Sequence, residues 1–298
     1  MDETPQHNPL LAALLILAAS VFIAFTTLLA KGLGTGFLGS MPLGEPLHPL
    51  QISHGRFLFA FVAVSSVAWS FRLRPRAVNW KLHIGRTTLG WMGVTLMFAS
   101  VAFIPMADAT AISFLNPVFC MVFAIPLLGE KVGRIRWGAA IIAFVGALIL
   151  LRPSAQSFQP AALLALTAAL IMGMELILIK LLTGRERPLQ ILLINNTLGL
   201  MLATVAVSFV WAAPTLAQWV ALVGIGFAMA AAQVCFLNGM ARADASFVAP
   251  FSYATLIFAA LYDAAVFGTR PDLVSYIGAA IILTGALILA LREAKLRD

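Results

Sequence analysis

Three charged side chains stand inside apolar runs of this 298-residue chain: Arg56, Glu175 and Asp263. A charge at the centre of a bilayer costs about 2.5–3.5 kcal/mol on insertion scales, so each needs a reason to be there. Glu175 lies in "LIMGMELILIK", five residues before Lys180. That spacing puts the two on different faces of a helix and makes them poor partners. Arg56 lies about two turns into its run. Asp263 sits at a comparable depth in another run and is the best counter-ion the sequence offers it. Together the three could hold a zwitterion, with a carboxylate near Arg56 and an amine near Glu175 or Asp263. They could equally be structural ion pairs, or residues facing a wet vestibule.

Neutral polar groups accompany them. Asn116, Gln233 and Ser252 bring amide and hydroxyl groups to apolar depth, and Tyr253 follows Ser252 directly. Trp91, in "LGWMG", is deeper in its run than Trp69, Trp80, Trp137, Trp211 and Trp219, which stand near run ends as an aromatic belt would. Gln233 and Asn238 are five residues apart and cannot both face one cavity directly, while Asn195 and Asn196 fall near a run start and read as interfacial. The titratable candidates for proton coupling are Glu175, Asp263 and His54, and a hydrogen-bonded interfacial histidine is the plainer reading of His54. His7, His48, His54 and His83 are scattered near run ends, and no HExxH, GxSxG or GxxxxGK[ST] pattern occurs. No metal site, no cofactor and no enzymatic centre is expected, and ATP does not drive the protein in cis.

The composition says which elements must carry these groups. Hydrophobic residues make up 61% of the chain, charged residues 10%, and the mean hydropathy is +0.98. Soluble domains have roughly 25% charged residues, so the solvent of this chain is lipid. The net charge of +7 is spread over short gaps between apolar runs, which argues against a nucleic-acid partner. Cys120 and Cys235 lie within apolar runs and read as small core residues.

Crossing about 30 Å of hydrocarbon takes about 20 residues. Runs of that kind lie near 10–30, 49–70, 84–104, 108–128, 136–152, 160–181, 190–211, 216–238, 246–267 and 273–291, giving an all-α membrane protein of ten spans. The acidic start and the length of the first run mark it as a retained span rather than a signal peptide. With ten spans, fifteen Lys and Arg, with Arg86 counted to a loop at its run end, fall on one side and three, Lys31, Arg152 and Arg270, on the other. Basic loops stay cytoplasmic, so both termini are expected inside.

The chain also repeats itself. "GAAIIAFVGALIL" (138–150) matches "GAAIILTGALIL" (278–289), and "ADATAISFLNP" (107–117) resembles "ADASFVAPFSY" (243–253). On this alignment Ser252 occupies the place of Asn116, and Tyr253 that of Pro117. Five spans per copy is an odd number, so the second copy, 153–298, must be inverted relative to the first, 1–152. Inverted repeats enclose a shared midplane site that opens to each side in turn. Small-residue stripes at Gly138, Ala139 and Gly146 and at Gly278, Ala279 and Gly285 suit close packing, within the scaffold or between copies in a homo-oligomer.

The stretch "SFLNPVFCMVFAIPLLGEK" (113–131) carries two prolines, Pro117 and Pro126, at positions where a helix should kink. Pro117 should free the carbonyl of Ser113 beside the Asn116 amide. With "GEK" and the following "GAAIIAFVGALIL", this stretch resembles the end of an EamA domain of the drug/metabolite transporter superfamily, at Pro117, Gly129, Glu130, Gly138 and Gly146. The second copy departs from it, with Thr269 after Gly268 where the family usually has Glu. The resemblance implies a secondary transporter of a bacterial inner membrane. It points most to exporters of aromatic or large apolar amino acids, with cationic drugs and nucleotide sugars as competing cargoes. The partners it implies are a small-molecule substrate and membrane lipid.

Overall fold

A computed structural model of the chain describes residues 8–70, 78–128, 134–151, 160–183, 186–240, 242, 254–269 and 272–295. Ser252, Tyr253, Gly129 and Glu130 lie outside the described residues. The first helix, α1 (Pro9–Thr35), opens with the Asn8 side chain accepting from the Leu11 N–H and a proline in its first turn. It ends at Gly36, whose φ of 81° is the left-handed cap. A small hairpin follows, β1 (Phe37–Leu38) and β2 (Met41–Pro42), paired Phe37 to Pro42 and Leu38 to Met41. Then come α2 (Pro49–Ser70), α3 (Trp80–Val101), α4 (Met106–Ser113), α5 (Asn116–Leu128), α6 (Arg134–Leu151), α7 (Pro160–Thr183), α8 (Pro188–Val207), α9 (Leu216–Met240), α10 (Ala254–Phe267) and α11 (Leu273–Lys295).

Among the described residues, six helical stretches are long and apolar enough to cross a membrane: Leu10–Thr35, Pro49–Ser70, Asp108–Leu127, Pro160–Ile179, Leu189–Val207 and Leu216–Phe236. Large apolar side chains face outward along them, among them Leu14, Val62, Met201, Val205, Val220 and Phe227. An exposed apolar skin around a polar interior belongs to lipid-embedded helices.

The stretch expected as one kinked span over 108–128 is two helices. α4 stops at Ser113, Phe114 and Leu115 form a turn, and α5 restarts at Asn116. Pro117 therefore stands in a first turn, where its missing N–H leaves no orphan, and the break precedes it. Pro126 lies inside α5 on its exposed side.

Helix packing comes in mated pairs. α3 lies on α7 and α1 on α9; α2 lies on α9 and α3 on α8; α5 lies on α7 and α1 on α10; α2 meets α8, and α6 meets α11. Exchanging α1, α2, α3, α5 and α6 for α7, α8, α9, α10 and α11 reproduces the same set. Side-chain register gives the directions. Gly85, Gly90 and Gly93 of α3 face Leu178, Glu175 and Met172 of α7, so these two run antiparallel. Gly55 meets Leu222 and Phe59 meets Gly226, so α2 and α9 are parallel, and Leu29 facing Gly224 while Ile16 faces Gly239 makes α1 and α9 antiparallel. Thr95 of α3 meets Ser53 of α2. These lie 15 and 17 residues from the helix ends that the short connection between Ser70 and Trp80 joins, too short to run back along a helix, so α2 and α3 are antiparallel. It follows that α1 and its counterpart α7 run in opposite senses.

Two cations assigned to loops by the sequence are inside helices. Lys31 is in the last turns of α1 and Arg86 in the second turn of α3, and both are buried. Neither belongs in a tally of loop charge.

Candidate functional site

Among the described residues, a cluster of charge stands in the interior at the crossing of α2, α3 and α7. Arg56 of α2 is 5% exposed. Its guanidinium carbon lies 4.4 Å from the centre of the Phe57 ring, and its Nε and Nη1 are buried with no hydrogen-bond partner among the described residues. The charges that act on it are Glu175 and Arg86. Arg86 Nε stands 3.5 Å from Glu175 Oε1, an ion pair rather than a well-formed hydrogen bond, and Arg86 Nη1 reaches the Ile191 carbonyl of α8 at 3.5 Å.

The local sequence explains why these groups meet. In α3, Arg86, Gly90 and Gly93 recur at helical spacing on the face that meets α7. Gly90 leaves room for the Glu175 carboxylate, and Gly93 for Met172. Ser53 and Thr95 share a hydrogen bond of 2.9 Å between α2 and α3. Arg56 is three residues beyond Ser53 and Trp91 four before Thr95, so at 1.5 Å rise per residue the two reach a similar depth on facing, antiparallel helices. Trp91 Nε1 is also buried without a partner among the described residues.

Polar pairs continue the interior along α8. Thr87 Oγ1 donates to Asn195 Oδ1 at 3.2 Å, and Asn196 Nδ2 donates to Gln233 Oε1 of α9 at 3.4 Å. Asn195 and Asn196 are buried and bind neighbouring helices.

Asp263 does not serve Arg56. Lys31 Nζ donates to its Oδ1 at 2.5 Å and the Met106 N–H to its Oδ2 at 3.0 Å, joining α1, α10 and the start of α4. The sequence missed this because it placed Lys31 in the following loop. Asn116 also stands apart from the cluster: its carbonyl lies against Gly173, and residues 173 and 175 point to nearly opposite sides of α7. His54 is half-buried, edge-on to Trp211 with ring centres 6.2 Å apart.

A second polar cluster closes one end of the bundle. His83 Nε2 donates to Glu186 Oε2 at 2.9 Å, since an ionised carboxylate only accepts. Gln190 Nε2 donates to the same oxygen at 2.7 Å, and the Asn79 N–H to Oε1 at 3.0 Å. Burial pushes the Glu186 carboxyl up, but the bonds from Asn79, His83 and Gln190 outweigh it and hold it below its usual range. His83 is fully buried in the first turn of α3, near the run end where the sequence placed it. Among the described residues no group of three His, Cys, Asp or Glu is placed to hold a metal ion.

A lipid-facing helical bundle with mated packing and a sealed charge cluster defines a class, the multi-pass membrane proteins that work from an interior polar site. Comparison with known proteins gives the family: the model of the EamA-like transporter family matches residues 10–152 and again 159–291, and the chain belongs to that family. It is 34% identical over 247 residues to a riboflavin transporter of Rhizobium johnstonii, with 80% of each chain covered. It is 28% identical over 254 residues to an S-adenosylmethionine uptake transporter of Rickettsia bellii, covering 85% of this chain and 87% of that one. A pseudopaline exporter of Pseudomonas aeruginosa is 26% identical over 210 residues, covering 69% and 73%. A solved crystal structure shares the fold, with a TM-score of 0.64 at 18% identity over 96% of this chain.

Proposed function

We propose that this membrane transporter moves a small organic metabolite bearing a carboxylate, by alternating access around the cluster of Arg56, Arg86 and Glu175. The observation that carries this reading is the buried Arg56 guanidinium, with two nitrogens that no described residue engages. A buried cation left so is unfavourable unless a ligand engages it. Ten spans in two inverted halves, with both termini in the cytoplasm of a bacterium and the chain in its plasma membrane, complete the reading. Its support is the opposite sense of α1 and α7 and the match of the family to both halves.

Trp91, Gln233, Ser252 and Tyr253 are proposed to line the path, with Asn116 shaping the α4–α5 break. Glu175, Asp263 and His54 are the groups to test for proton coupling. The direction proposed is export, outward for a metabolite that the cell accumulates, driven by the solute gradient or by protons according to the pH-gradient arm of the test below. Amino acids with aromatic or large apolar side chains are the first cargo class to test. S-adenosylmethionine, which carries a carboxylate, comes next. Riboflavin, which carries none, is the contrast whose release alone would count against the carboxylate reading; both are taken from the names of the relatives.

The test is purified protein in liposomes loaded with labelled amino acids, S-adenosylmethionine and riboflavin. The labels that leave are followed with and without a pH gradient. Selective, saturable loss that R56Q abolishes supports the reading. Folded protein that releases none of them sinks it for these cargoes.

A further inference from the structure

At the helix crossing one carboxylate, Glu175, pairs with Arg86, and the buried Arg56 guanidinium adds a second positive charge to the same cluster. Glu175 is already engaged. Arg86 stands 3.5 Å from Oε1, and the carboxylate fills the space beside Gly90. Among the described residues, two other buried carboxylates have partners of their own: Asp263 pairs with Lys31, and Glu186 accepts from Asn79, His83 and Gln190. One unit of positive charge at Arg56 is left unbalanced, where an uncompensated buried ion is strongly unfavourable. At a similar depth on α3, the Trp91 indole N–H is buried and bonded to no described residue.

A zwitterionic solute does not resolve this. Its carboxylate would meet Arg56, but its ammonium would add a second positive charge and compete with Arg86 for Glu175. A solute with one more negative than positive charge balances the cluster and leaves the Arg86–Glu175 pair intact. Charge-assisted hydrogen bonds to a guanidinium are about twice as strong as neutral ones, so the discrimination is large.

We propose that the site selects an organic monoanion, its carboxylate on Arg56 Nε and Nη1 and a further acceptor atom on Trp91 Nε1. This rests on reading the cluster as the substrate site and narrows the cargo from carboxylate-bearing solutes to net anions.

The experiment uses four ligands built on one ring: indole-3-acetate, tryptophan, indole-3-acetamide and tryptamine, a monoanion, a zwitterion, a neutral amide and a cation. Binding to the purified full-length protein is measured by isothermal titration, with thermal melting in parallel. Indole-3-acetate should bind at least tenfold more tightly than the other three. R56Q should erase that preference, R56K should keep part of it, and Trp91→Phe should weaken indole-3-acetate without changing the order. R56Q should melt no lower than the parent, because it removes an unmatched charge. Tryptophan, the amide or tryptamine binding as well as indole-3-acetate would overturn the monoanion class. So would binding of none of the four, or R56Q melting well below the parent. Each of these would leave the transporter reading standing if a labelled solute, with indole-3-acetate added to the liposome cargoes, still leaves the liposomes. Failure of all efflux would instead strike that reading itself.

Discussion

A methyl group on Gly90 would sit 2.6 Å from Glu175 Oε1 and 2.9 Å from the carboxyl carbon, so the absent side chain on α3 is what lets α7 carry a carboxylate into the interior. Glu175 is thereby pinned between a helix backbone and Arg86. G90A should push the carboxylate away from Arg86 and cut transport by tenfold or more. Because the displaced atoms end a side chain that can swing, stability should fall by no more than about 1–3 kcal/mol. Liposome efflux measured beside thermal melting tests this; efflux at the parent rate would remove Glu175 from the site.

Lys31 and Asp263 tie α1 to α10, and the Met106 N–H ties both to the entry of α4. Removing one member of a buried pair costs about 3–5 kcal/mol, chiefly through the charge left behind. D263N should therefore destabilise by about 3 kcal/mol, since the Lys31 side chain keeps 11% exposure. The double variant K31M/D263L should recover most of that, because replacing both ions leaves no orphan. Melting of the three proteins decides it: a double variant no better than D263N would show that shape rather than charge holds the joint.

The sequence carried the lipid environment, the helices and the repeat, because each rests on long runs whose signal accumulates over many residues. It marked Arg56 and Glu175 because a charge in an apolar run is visible without geometry. It missed Arg86 because a cation near a run end reads as a loop residue, although Asn79 as a cap and the Arg86–Gly90–Gly93 spacing were there to place it on a helix face. It paired Arg56 with Asp263 by depth alone. Depth does not say which helices touch, and the register that joins α1 to α10 instead is a property of packing.

Close approach of helix backbones sets α2 against α9. A Cβ at Gly226 would lie 2.3 Å from Phe59 Cβ and 2.9 Å from the Ala60 nitrogen, neither of which can swing aside. G226A should therefore cost about 1–3 kcal/mol or more by overpacking. G138A is the matched control: nothing stands within 4 Å of its added methyl, and alanine in a helix gains about 0.5–1 kcal/mol over glycine. The two substitutions should move the melting midpoint in opposite directions. A lowered midpoint for G138A would mean that its face is packed against another copy of the chain.

The carboxylate of Glu186 accepts from Asn79, His83 and Gln190 at once, so the turn between α7 and α8 is bolted to the start of α3. Burial alone would raise its proton affinity, but the three bonds lower it below the usual range. A carboxylate depressed in the folded protein contributes stability that is complete above its unfolded pKa, about 4.3, and lost as pH falls through the folded value. The melting midpoint of the parent should hold steady at neutral pH and drop as the medium is acidified below about pH 4.3. E186Q should start lower by about 1–3 kcal/mol, since a charge-assisted bond is lost and buried donors are left less well satisfied. It should also drop less steeply on acidification, because its amide has no proton to gain. Equal slopes for the two proteins would place the acid-sensitive group elsewhere in the bundle.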